Sequence, residues 1–177
     1  MATDTSKTVP SREISYNYCV AMFMAQQFEE GLRYILDSGD YYGLTDALEL
    51  TPKEKKKYKD TGEWLDKATC GRLLVALKKR IRLPSEDHWK VLSSAIDDRN
   101  FLAHRFLVQF DYDGMSAHKQ KEIVQMIYVM VLRLSNAGQI VRALKKNLDQ
   151  QTDQIDSHAD ALMKEFGAKS KLRRKKT

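Results

Sequence analysis

Between Ser116 and Phe166 only Gly138 interrupts a continuous helical pattern, and an apolar residue returns at every seventh position as Ile127, Leu134, Val141, Leu148, Ile155 and Leu162. At 1.5 Å per residue a helix over this run spans roughly 75 Å, about twice the width of a domain of this size. It must therefore bend back on itself or project. A companion seam is apolar at Met130, Ala137 and Leu144 but polar at Gln151 and His158, so the stripe narrows in the distal half. Two readings follow: a core helix with a frayed end, or a distal coiled-coil or partner-binding arm.

The rest of the chain reads as shorter helices. Only Pro10, Pro52 and Pro84 and eight glycines punctuate it, while good helix formers are plentiful. Ser11 offers an N-cap to a helix carrying Ile14, Tyr18, Ala21, Ala25, Phe28, Leu32 and Ile35 and running to about Leu36. Turn chemistry at Ser38-Gly39-Asp40 leads to a weak segment, Leu44 to Leu50. Thr51-Pro52-Lys53-Glu54 then has capping-box order and starts a short helix with a lysine-rich face, Lys53 to Lys59. From Thr61 or Glu63 a helix carries Leu65, Ala68, Thr69, Leu73, Leu77 and Ile81 to the Leu83-Pro84 step. Ser85 caps the next pattern, which runs to about Val108 and closes at Asp111-Tyr112-Asp113-Gly114; Ser116 caps the last helix. The expectation is an all-α bundle of four to five main helices with a long C-terminal helix. Residues 1–11 form a flexible N-terminus, 12–145 the bundle, 146–167 the distal helix and 168–177 a disordered basic tail.

A net charge of +6 suggests nucleic acid until it is localised: six of the basic residues, from Lys169 to Lys176, sit in the tail, and the remainder is balanced. Cys19 and Cys70 lie in apolar helical patterns without ligand spacing and read as reduced packing residues. There is no secretory h-region, and the longest apolar stretch, Ile127 to Leu134, is cut by Arg133; the expectation is a cytoplasmic protein with no membrane contact. His88, His118 and His158 are isolated, and neither a metal-ligand cluster nor a glycine-rich phosphate loop appears, so no metal or cofactor is assigned. Trp64, Trp89 and the Tyr41-Tyr42 pair read as packing or loop residues, and Tyr112 as a neighbour of the site described next.

On an ideal helix over 89–108, Val91, Leu92, Ala95, Ile96, Leu102, Ala103 and Phe106 share an apolar arc. Arg99 falls in its middle. Asn100 and His104 lie on its edge, with Asp97 completing a row at i, i+3 and i+7. An arginine aimed at a bundle interior keeps its charge, so it needs an acid from the first helix, such as Glu29 or Glu30, or an anionic ligand.

Arg99-Asn100-Phe101-Leu102-Ala103-His104 resembles the R-x4-6-H motif of the HEPN family, and the string RNFLAHRF is similar to bacterial members in which Asn follows Arg. Ala68-Thr69-Cys70-Gly71-Arg72-Leu73 resembles the T-x-G-x-L stretch that some members carry on a preceding helix. The resemblance covers about residues 12–145 and is sharp around 96–106. It implies a helical bundle that dimerises with two motifs facing one cleft, acting as a metal-independent endoribonuclease of toxin–antitoxin, phage-defence or RNA-processing type. RNA would be the substrate, and a cognate antitoxin or regulator a further partner. Transesterification of RNA needs a group to take the 2′-OH proton, one to protonate the leaving 5′-oxygen and a cation on the phosphorane. His104 suits acid/base work and Arg99 a two-point phosphate clamp, with Asn100 orienting the imidazole or bonding a phosphate oxygen. Some family members are non-catalytic, which leaves a helical adaptor as the alternative, followed by a nucleic-acid-binding module using the tail and the Lys53 to Lys59 face.

Overall fold

A computed structural model describes residues 11–41, 52–53, 61–81, 83–112 and 114–174. Every described element is helical: α1 (Arg12–Tyr41), α2 (Thr61–Lys67), α3 (Cys70–Arg80), α4 (Glu86–His104), the single-turn α5 (Phe106–Gln109) and α6 (Ala117–Arg174). The chain is all-α, as its spacing predicts. The Leu44 to Leu50 segment and most of the Lys53 to Lys59 face lie outside the described residues.

Three serines start helices as their positions suggest. The Oγ atoms of Ser11, Ser85 and Ser116 accept from the backbone N–H of Ile14, Asp87 and Lys119 at 3.4, 3.1 and 3.3 Å, satisfying amides that a helix start leaves unpaired. The helix expected from Thr61 to Leu83 is two helices. It breaks at Ala68-Thr69, where Thr69 takes an extended conformation and becomes the N-cap of α3; that turns Thr69 outward, whereas Ala68 and Cys70 on either side are buried. Burial pushes the Cys70 thiol up to about 12, with Glu29 adding to the shift. Cys19, expected to pack, is exposed.

The core follows the two long stripes. Ile14, Ala21, Ala25, Phe28, Leu32 and Ile35 of α1 meet Ile123, Ile127, Met130, Leu134, Ala137 and Val141 of α6, all buried. Each large apolar side chain removed from water here contributes about 1.5–3 kcal/mol. The seven-residue repeat of α6 thus lies in the interior up to Val141. By length and composition α6 contains a stretch, Ala117–His158, that passes as a membrane span; its seam is buried, whereas Tyr128, Val129 and Leu132 are exposed, and Arg133, which interrupts the apolar run, clasps Asp98 of α4 with both Nε and Nη2 at 2.7 and 2.6 Å. Asp98 is only 5% exposed, and the hydrogen bonds it accepts raise the Arg133 pKa above its ordinary value.

Asp149 ties α6 to α1, its carboxylate accepting from the Tyr34 hydroxyl at 2.9 Å. All described side chains from Gln150 onward are exposed. The helix carries through Gly167 to Arg174. One glycine costs about 1 kcal/mol against alanine, and the surrounding Ala, Lys, Leu and Arg favour continuation.

Where α1 and α6 come closest, Gly31 has a packing reason. A Cβ built there would collide with Val141 Cγ1, so Val141 would have to shift to admit any side chain. Gly31→Val is therefore expected to destabilise the fold by about 1–3 kcal/mol through overpacking. Combining it with Val141→Ala should recover part of the loss in chemical denaturation, and additive losses would contradict the close approach.

Candidate functional site

The motif helix ends sooner than its hydrophobic pattern suggests. Arg105 leaves helical geometry (φ −124°, ψ −34°), and the chain restarts as α5 with Phe106 driven wholly into the core. There Phe106 stacks on Tyr18 with centroids 4.9 Å apart and meets Phe101, Phe110 and Tyr112 edge-on or tilted. Carbonyls freed by the break are answered by phenols: Tyr18 donates to Leu102 O at 3.2 Å and Tyr112 to Phe106 O at 3.1 Å. Burial raises both phenol pKa values, which keeps them protonated donors. Tyr112, expected beside the site, is part of its buried base.

The break places His104 at the last position of α4, exposed, and Ala103, expected on the apolar arc, is exposed as well. Asp97, Asn100 and His104 line one open groove together with Phe101, Arg105 and, across from them, Thr69 and Gly71 at the start of α3. The groove encloses about 670 Å³, within the range of ligand-sized clefts. The two sequence segments singled out above, the Arg-to-His motif and the Thr69-to-Leu73 stretch, thus supply its two walls.

Arg99 does not line this groove: it lines a second hollow of about 450 Å³ together with Met22, Gln26, Glu29, Arg33 and Asp66. Its Nε donates to Glu29 Oε2 at 2.8 Å, and its Nη2 lies 2.7 Å from the same oxygen. Glu29 is thus the acid from the first helix that a misplaced arginine requires; Glu30 is exposed and accepts instead from Gln27. The Arg99 Nη1 reaches the other way, toward Asn100 Oδ1 at 3.4 Å. The Arg99 side chain keeps 25% of its surface exposed, so it is held rather than sealed.

Sequence reading missed Arg105, Thr69 and Gly71 as lining residues and Arg33 as a second partner of Glu29. Thr69 and Gly71 were within the quoted motif. Arg33 could have been found at i+4 from Glu29, where an acid and an arginine share a helix face. Trp64 and Trp89 are buried packing residues, as expected. Among the described residues no group of three or more His, Cys, Asp or Glu side chains converges to hold an ion. Searches for known relatives match this chain to no protein family, no curated protein and no solved structure.

Proposed function

We propose that this protein is a HEPN-like endoribonuclease that cleaves single-stranded RNA in the groove between α4 and the start of α3. The observation that carries the reading is that Asn100 and His104 line one open groove while Arg99, which lines the neighbouring hollow, turns Nη1 toward Asn100. Amide and imidazole share the groove, and the Arg99 cation would reach a phosphodiester bound there past Asn100. In this reading Arg99 and Asn100 hold the nonbridging oxygens, and His104 either takes the 2′-OH proton or protonates the leaving 5′-oxygen as the 2′-oxygen bonds to phosphorus. Arg105 adds a second positive charge on the same wall.

The groove offers one imidazole, whereas the reaction needs both an acid and a base. A second copy facing the first supplies the other, so the active species is a homodimer. Apolar surface beside the motif supports a partner seat there: Leu107 and Val108, just past His104, are 52% and 81% exposed. A cytoplasmic toxin or phage-defence enzyme, restrained by a cognate antitoxin or regulator, is the setting this chemistry suits.

The Glu29–Arg99 ion pair and the length of α6, whose described side chains past Asp149 are exposed, favour a second reading, a non-catalytic adaptor whose arginine is purely structural. Incubating the purified protein with an unstructured RNA oligonucleotide in EDTA separates the two. Fragments ending in 2′,3′-cyclic phosphate are expected, and an intact oligonucleotide at micromolar protein would leave the adaptor.

A further inference from the structure

We infer that Glu29 and Arg33 are positioning residues that set both walls of the cleavage groove at once, an assignment that rests on the reading of Arg99 as the phosphate clamp. Glu29 divides its two oxygens. Oε2 takes the Nε and Nη2 edge of Arg99, at 2.8 and 2.7 Å, and Oε1 takes Arg33 Nη2 at 2.6 Å. The same Arg33 nitrogen donates to the carbonyl of Ala68 at 3.1 Å. Ala68 immediately precedes Thr69, so one carboxylate connects the clamp on α4 with the corner that carries the opposite wall.

The edge that Glu29 occupies matters chemically. A guanidinium offers two forks, one through Nε and Nη2 and one through Nη1 and Nη2. Because a single carboxylate oxygen engages the first, the second stays available to two phosphate oxygens, and Nη1 already turns toward Asn100. Glu29 is well shielded, at 13% exposure, so a mobile chain is held in one orientation. Two guanidiniums around one carboxylate also leave the triad with a net positive charge, although Asp66 lines the adjoining hollow. Arg33 Nη1 is buried without a hydrogen-bond partner, a further sign that Arg33 is placed for Glu29 and Ala68 rather than for its own hydration.

A positioning role and a merely stabilising one differ in what Glu29→Gln changes. Removing the acid should leave the grip on RNA intact or tighter, since a competing negative charge is gone, while the reacting geometry loosens. The experiment measures single-turnover cleavage of an RNA oligonucleotide and, separately, the Kd for the same oligonucleotide with 2′-O-methyl riboses, for wild type, Glu29→Gln and Arg33→Gln. Expected are a fall in the cleavage rate of about 10²-fold for Glu29→Gln, the scale of a misplacement near 1 Å, a smaller fall for Arg33→Gln, and a Kd that weakens in neither. Arg33→Gln decides alone if Glu29→Gln does not fold, because the Arg99–Glu29 pair remains in it. Cleavage at the wild-type rate in the folded variants overturns the inference while leaving the nuclease reading standing, and so does a rate loss that only tracks the folded fraction. Wild-type protein that leaves RNA intact overturns both.

Discussion

Replacing His104 with alanine is expected to lower the single-turnover rate of RNA cleavage about 10²- to 10⁴-fold, the usual scale of a positioned general acid or base, and to move the thermal midpoint by no more than about 2 °C. The two halves follow from one position. His104 is the last residue of α4 and exposed, so its imidazole supports no packing whose loss could unfold the chain. Asn100 and Asp97 share its groove, and neither can supply the exchange: the amide does not titrate near neutrality, and a carboxylate two turns away does not reach the same phosphate. Mixing His104→Ala with wild-type protein refines the test. If facing copies supply acid and base, excess variant should suppress wild-type activity by capturing it in mixed dimers. A variant that cleaves at the wild-type rate would remove His104 from the mechanism.

The fold was legible because its signals are periodic. Two helices carry apolar residues at three and four spacings over many turns, and the core uses those of α1 up to Leu36 and those of α6 up to Val141. Serine caps were readable for a local reason, since the hydroxyl and the amide it serves lie two or three residues apart. What escaped were places where tertiary packing outweighs local pattern. Ala68-Thr69 and Arg105 interrupt helices that no Gly or Pro marks. At Arg105 the cause is Phe106, whose burial against Tyr18 comes from a helix far away in sequence. The same limit applies to the site. Arg99 stood out as a charge on an apolar face, and its need for an acid from α1 was deducible. Which edge of the guanidinium that acid would take, and that Arg33 would tie the same carboxylate to Ala68, depend on geometry between elements.

Phe106→Ala is expected to cost about 3–5 kcal/mol, the range for deleting a buried phenylalanine, and so to lower the thermal midpoint by about 10 °C. Phe106 is fully buried and touches four other aromatic rings, so a cavity there cannot close without moving several of them. The effect should extend beyond stability. Tyr18, stacked on Phe106, donates to Leu102 O, and Tyr112 donates to the carbonyl of Phe106 itself; these bonds fix the end of α4 where it stops. Without the ring the break at Arg105 loses its anchor, and His104 swings with it. In protein that is still folded at low temperature, cleavage should therefore drop about tenfold or more, whereas Phe106→Leu, which keeps most of the buried volume, should lose roughly 1–2 kcal/mol and little activity. Urea unfolding followed by helical circular dichroism, paired with cleavage rates at 10 °C, measures both. A large stability loss with unchanged cleavage would mean that the aromatic base supports the bundle without placing the histidine.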